Sequence, residues 1–263
     1  RCGRPICPDC MVAAPVGFQC RSCVSEATSG RVLPTTVAGG QIISKPQVTY
    51  ALIGLNAVIF LLQFAGGIND VAGDWGMWPV GIAVGGEWWR LLTGAFLHGS
   101  FLHIAFNMYV LFVLGPTLER VLGHVRFLML YLLAALGGGV ASYAFSDMRT
   151  VSVGASGAIF GLMGALIVAG RRLKYDIKQV VILLAVNVVI GFMAPGVDWR
   201  AHLGGLATGA AVAAVFVLAP RAHRLLWQSL GILAIIGALV LITTWRTAQI
   251  AEFVAPFGVT VNA

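Results

Sequence analysis

The sequence is poor in charge. Asp, Glu, Lys and Arg make up only 10% of its 263 residues, against 59% hydrophobic, and the mean hydropathy is +0.89. A soluble domain carries about 25% charged residues. This composition cannot build a solvated surface, so the soluble globular classes are excluded. Acidic residues are the scarcest, 10 against 17 basic. The net charge of +7 does not point to nucleic acid, because the basic residues sit between apolar runs and read as topology determinants. Cysteine is absent after Cys23. No H-E-x-x-H occurs, which removes the helical zinc-protease signature. Arg1 stands first rather than Met, and no signal peptide precedes the first apolar run, so the expectation is a chain that begins inside a longer protein.

What is abundant is apolar sequence in lengths suited to a bilayer. A membrane helix needs about 20 predominantly apolar residues. Seven spans are expected, near 48–66, 98–116, 125–145, 155–170, 178–194, 201–219 and 228–245. The class is all-α, a polytopic membrane helix bundle. Between the first two spans lies a long connection, Gly67 to Leu97, with Trp75, Trp78, Trp88 and Trp89. Tryptophan favours the membrane–water interface, so this loop is expected at the outer leaflet. With the N-terminus placed in the cytoplasm, 13 of the 17 Lys and Arg fall in inside segments and 4 outside. That is the sign the positive-inside rule demands, and seven spans then put the C-terminus outside. The expected location is a bacterial plasma membrane.

The first 27 residues form a separate Cys-rich module. Cys7 and Cys10, and Cys20 and Cys23, are two C-x2-C pairs nine residues apart. Four thiolates complete the tetrahedral shell zinc prefers, and a reducing cytoplasm disfavours the alternative, two disulfides. The expectation is structural zinc on Cys7, Cys10, Cys20 and Cys23, with Cys2 as a further ligand of a truncated site or a spare thiol. The start resembles a B-box or zinc-ribbon module missing its beginning, and a cytoplasmic partner is its expected contact. Residues 28–47, rich in Gly, Pro, Ser and Thr, read as a linker. The division is therefore 1–27 module, 28–47 linker, 48–219 six-span core and 220–263 seventh span with tail.

Polar residues at membrane depth are costly and mark candidate sites. The second span opens with LHGSFLHIAFNMYV, which carries His98, His103 and Asn107. The fourth carries Ser156 and the sixth His202. The topology places all five in the outer half of the membrane. Asn56 and Asn187 are isolated amides, expected to hydrogen-bond between helices. One at a time, a serine among glycines reads as helix packing and a histidine as a satisfied neighbour. Convergence at one depth favours a site. A neutral histidine can take the proton of a serine hydroxyl, and His103, Asn107 and the Ser156 amide can face an oxyanion. No carboxylate lies in a span near His202, so the expected arrangement is a Ser–His dyad. Gly157 and Gly161, and Gly205 and Gly209, are four apart and permit close helix approach. Phe160, one turn below Ser156, can pack on the His202 ring.

At these residues the sequence resembles the rhomboid family of intramembrane serine proteases. The resemblance covers residues 48–219 and rests on Trp89-Arg90, on the run of His98, His103 and Asn107, on Gly154-x-Ser156-Gly157, and on Ala201-His202 followed by small residues. It implies a nucleophile at Ser156, a base at His202, and oxyanion stabilisation by His103, Asn107 and the Ser156 amide. Gly154, Gly157, Phe160, His98, Trp89 and Arg90 would support them. It implies transmembrane protein substrates, cleaved near the outer membrane face without a catalytic cofactor. Phe160 departs from the tyrosine of many relatives. The alternative expectation is a catalytically silent relative that binds membrane proteins and controls their trafficking. A transporter is disfavoured because the polar residues gather on one side.

Overall fold

The computed structural model describes residues 3–29, 34–193 and 196–258. The chain divides into two compact units, Arg1–Pro34 and Thr35–Ala263.

The first unit holds a short antiparallel hairpin, β1 (Met11–Ala13) and β2 (Phe18–Cys20), followed by α1 (Arg21–Ser29). Gly17, at φ +72°, makes the turn. Pairing of Met11 with Cys20 brings the two C-x2-C pairs toward one end of the hairpin. The thiols are engaged locally. Cys7 and Cys10 hydrogen-bond each other, and Cys20 Sγ lies 3.1 Å from Ser22 Oγ. Among the described residues, no three His, Cys, Asp or Glu side chains are placed to hold a metal ion. Cys2 lies outside the described residues.

The second unit is a helix bundle. Its long helices are α2 (Gln47–Ala65), α6 (Phe101–Leu122), α7 (His124–Phe145), α8 (Ser156–Leu173), α10 (Trp199–Leu218) and α11 (Arg224–Val254). Among the described residues, these six are long and apolar enough to cross a membrane. The expected fifth span is α9 (Lys178–Met193), whose 16 residues rise only about 24 Å, short of a hydrocarbon core of about 30 Å. α7 and α8 are buried over most of their length, whereas α11 is mostly exposed. Leu61, Leu62, Leu102, Phe112, Leu225 and Leu241 stand out from the bundle. Such an apolar exterior is stable in lipid and costly in water. The protein is an integral membrane protein.

Three expectations change. The second span was bounded at Pro116, but α6 runs through that proline to Leu122. Beyond it, Glu119 is fully buried and holds the start of α2. Its carboxylate accepts from the Val48 and Thr49 N–H groups at 2.9 and 2.8 Å and from Thr49 Oγ1 at 2.6 Å, and it pairs with His124. These bonds satisfy orphan donors of the α2 N-terminus. Polar groups are thus not confined to one end of the bundle. Second, part of the expected linker is structured. Thr35 pairs with Gln41, Ala38 is fully buried, and its carbonyl accepts from Gln228 Nε2 at 2.9 Å. Third, Asn187 donates to a carbonyl one turn earlier in its own helix; Asn56 does the same, while its side chain also meets Tyr131 of α7.

Candidate active site

The connection between α2 and α6 is a run of short helices, α3 (Ile68–Trp75), α4 (Pro79–Ala83) and α5 (Arg90–Thr93). It clamps the segment that precedes Ser156. Met77 and Ser152 exchange both backbone bonds, at 3.0 and 2.9 Å, and Gly154 N–H donates to the Gly94 carbonyl at 2.9 Å. Gly94 permits this, since a Cβ there would sit 2.9 Å from the Met77 nitrogen. Gly154 has φ +133°, and a Cβ on it would lie 2.7 Å from the His103 ring. Both terms demand glycine. The chain then enters α8 with Ser156 as its first residue, so the Ser156 N–H has no intrahelical acceptor.

α10 begins at a cap. The Asp198 carboxylate accepts from the Arg200 and Ala201 N–H groups at 3.1 and 3.2 Å and also takes the hydroxyl of Ser142 in α7. α8 and α10 then meet through their glycines. A Cβ on Gly205 would collide with the Gly157 carbonyl, and one on Gly209 with the Gly161 backbone. Backbones in such contact bring His202 Nε2 to 2.8 Å from Ser156 Oγ. Phe160 stacks on the His202 ring, centroids 4.2 Å apart and planes 12° from parallel. Among the described residues His202 Nδ1, buried, has no hydrogen-bond partner. It faces Gly191 of α9, where a Cβ would lie 3.2 Å from it. The carboxylate nearest in sequence, Asp198, is spent on the helix cap.

His103 and Asn107 lie one turn apart in α6. Gly99 N–H donates to His103 Nδ1 at 3.3 Å, which assigns the ring proton to Nε2. That edge faces Gly154 beside Ser156. Asn107, 3% exposed, gives one amide hydrogen to the His103 carbonyl at 3.0 Å and keeps a second. Ser156, His103 and Gly154 line a cavity of about 680 Å³, together with the 150–153 segment and the 196–198 turn. The arrangement holds a hydroxyl against an imidazole, with N–H donors beside it.

The remaining expected residues take other places. His98 is fully buried at the start of α6, edge-on to His103 at 5.1 Å and to Phe60 at 6.4 Å. Arg90 is 5% exposed. It binds Glu87 at 2.5 Å and the Gly73 and Gly76 carbonyls at 2.8 and 3.0 Å, locking the loop. Trp89 is half exposed at the loop surface, as is Trp75. Gly94, Ser142, Asp198 and Gly191 shape the site but were not singled out from sequence. A small residue or a cap in a loop carries no signal until the fold brings it against a ring or a carbonyl.

Comparison with known proteins agrees with the geometry. The Rhomboid domain family matches residues 85–219, which include Ser156, His202, His103 and Asn107. The chain is 38% identical over 186 residues to Rhomboid protease GluP of Bacillus subtilis, covering 68% of this chain and 36% of that protein. It is 32% identical over 195 residues to RHOMBOID-like protein 6, mitochondrial, of Arabidopsis thaliana, covering 71% and 62%. It is 29% identical over 227 residues to Rhomboid protease AarA of Providencia stuartii, covering 73% and 80%. The chain spans less than two thirds of the length of the first of these relatives. A matched domain covering half the sequence, with a part-buried serine–histidine contact inside it, establishes that this chain belongs to the rhomboid family.

Proposed function

We propose that the protein is an intramembrane serine endopeptidase that cleaves transmembrane segments through Ser156 and His202. The observation that carries this reading is the 2.8 Å contact between Ser156 Oγ and His202 Nε2 at the wall of a cavity. In the first step His202 Nε2 takes the hydroxyl proton as Oγ attacks the scissile carbonyl carbon. The developing oxyanion is met by the Ser156 N–H, His103 Nε2–H and the spare Asn107 amide hydrogen. His202 then returns the proton to the leaving amine. Water repeats the sequence on the acyl-enzyme and frees the serine. Phe160 stacking and the packed α8–α10 backbones hold the imidazole in place of a carboxylate.

Substrates under this reading are membrane proteins entering near the Ser156 end of α8. The N-terminus is cytoplasmic and cleavage lies toward the outer face, as the Lys and Arg distribution supports. The test is cleavage of a reporter transmembrane substrate by Ser156→Ala and His202→Ala, each checked for folding and insertion. Each should abolish cleavage, and wild-type cleavage by either sinks the dyad. Labelling by a serine-reactive fluorophosphonate, lost in Ser156→Ala, separates a protease from a silent relative that only binds membrane proteins. For the first unit, structural zinc on Cys7, Cys10, Cys20 and Cys23 is proposed from spacing. Metal analysis that finds no stoichiometric zinc would reject it.

A further inference from the structure

At the end of the bundle away from Ser156, four arginines surround one cavity. Arg126 lies in the first turn of α7, Arg172 in the last turn of α8, Arg221 after α10, and Arg224 opens α11. They line a cavity of about 1130 Å³ with Thr35, Thr36 and the end of α10, and no Asp or Glu is on its wall. Among the described residues none of the four is in a salt bridge. Arg126 donates to the neutral Gln228 amide oxygen at 3.2 and 3.0 Å. Among the described residues Arg224 Nε, buried, has no hydrogen-bond partner. Its stem is held against the Thr36–Gly40 turn, where a Cβ on Gly39 would lie 2.8 Å from Arg224 Cδ. Arg126 and Arg224 are part-buried and Arg172 and Arg221 exposed, so the four leave a concentrated positive field that an anion between them would neutralise.

The cavity does not end at the arginines. A second cavity of about 470 Å³ shares Arg126 and Leu225 with it and continues between α7 and α11 along Met129, Phe216, Ile232 and Leu233. Its walls are mainly apolar. Leu225 and Leu233 are 72% and 63% exposed toward the lipid side. A charged chamber at a membrane end that opens into an apolar groove has the chemistry of a phospholipid, head and tail. We infer that this is a binding site for an acidic phospholipid. Its phosphate lies among Arg126, Arg172, Arg221 and Arg224, and an acyl chain follows the α7–α11 groove. A free phosphate shares the head chemistry but has no use for the groove.

The test uses the full chain, purified and delipidated in neutral detergent. Binding of phosphatidylglycerol, phosphatidylcholine and inorganic phosphate is measured by native mass spectrometry and by thermal shift. Arg172→Gln/Arg221→Gln removes two charges from exposed side chains, and Ser229→Trp fills the groove from an exposed position. Unchanged unfolding of both variants in phosphatidylcholine establishes folding. Phosphatidylglycerol should bind tighter than phosphatidylcholine. The double variant should weaken it about 30-fold, near fivefold per charge. Ser229→Trp should weaken it too, and millimolar phosphate should not displace it. Displacement by phosphate, with Ser229→Trp silent, would assign the chamber to a free phosphate ion and refute the lipid. Equal binding of both lipids, unchanged in the double variant, would overturn the site altogether.

Discussion

Gly205→Ala tests the claim that two glycine faces, rather than a carboxylate, hold His202 against Ser156. A Cβ on Gly205 would lie 2.6 Å from the Gly157 carbonyl carbon and 3.0 Å from its Cα, where ordinary contact begins at 3.4 Å. The obstacle is backbone in the first turn of α8, so no side chain can swing aside. α10 must retreat by at least about 0.8 Å, enough to take the carbonyl carbon from 2.6 to 3.4 Å, and further for the carbonyl oxygen, which is nearer still. A retreat along the helix–helix normal stretches the 2.8 Å Ser156–His202 contact to at least about 3.6 Å, beyond hydrogen-bond reach. A misplacement of about 1 Å costs about 100-fold in rate. Overpacking should also cost about 1–3 kcal/mol of stability. The assay is reporter cleavage in proteoliposomes, with fluorophosphonate labelling as a substrate-independent measure and thermal unfolding as the folding check. Gly54→Ala and Gly237→Ala are the controls, because nothing lies within 4 Å of a Cβ at either. In those two the helix gains propensity by about 1 kcal/mol, and activity should hold. If Gly205→Ala labels and cleaves like Gly54→Ala, the glycine faces do not position His202.

Other outcomes follow from the same geometry. Gly154→Ala adds about 1–3 kcal/mol of strain at a positive φ and drives a methyl into the His103 ring. Cleavage should fall at least about tenfold without loss of insertion, and a fully active variant would count against the assigned loop. Asn107→Ala should lower cleavage about 100-fold while substrate capture by Ser156→Ala/Asn107→Ala matches Ser156→Ala; unchanged cleavage removes Asn107 from the oxyanion site. Glu119→Ala leaves His124 and the α2 N-terminus without their shared acceptor. It should destabilise by about 1.5–3 kcal/mol, because buried donors lose a charged acceptor, read as a lowered Tm, and no measurable shift would mean the site is hydrated rather than sealed. In the first unit, the hydrogen bond from Cys10 keeps the Cys7 thiol below its ordinary pKa and raises that of Cys10. A lowered pKa means thiolate at lower pH, so metal-free protein should alkylate at Cys7 first as pH rises. Simultaneous alkylation would refute the pairing.

Composition and order alone determined much of this protein. A chain with 10% charged residues and repeated apolar runs must fold in lipid. In lipid the few polar residues are conspicuous, which is why Ser156, His202, His103 and Asn107 were legible before any coordinates. The glycine spacing on two runs likewise announced a close helix pair, and the structure places those glycines against each other. Periodicity does not report depth or partners, and here the tertiary structure decided. Glu119 lies past a proline and so reads as outside its span, yet α6 continues to Leu122 and the carboxylate is buried against the start of α2. The 35–41 stretch looked like a linker because Gly and Thr lack a period, and only packing under Gln228 orders it. The four arginines are scattered from residue 126 to 224 and looked like separate topology signals. They share a cavity only because α7, α8, α10 and α11 bring one end of each together. Distance along the chain hides such groups, and a residue's neighbours exist only once the helices have chosen theirs.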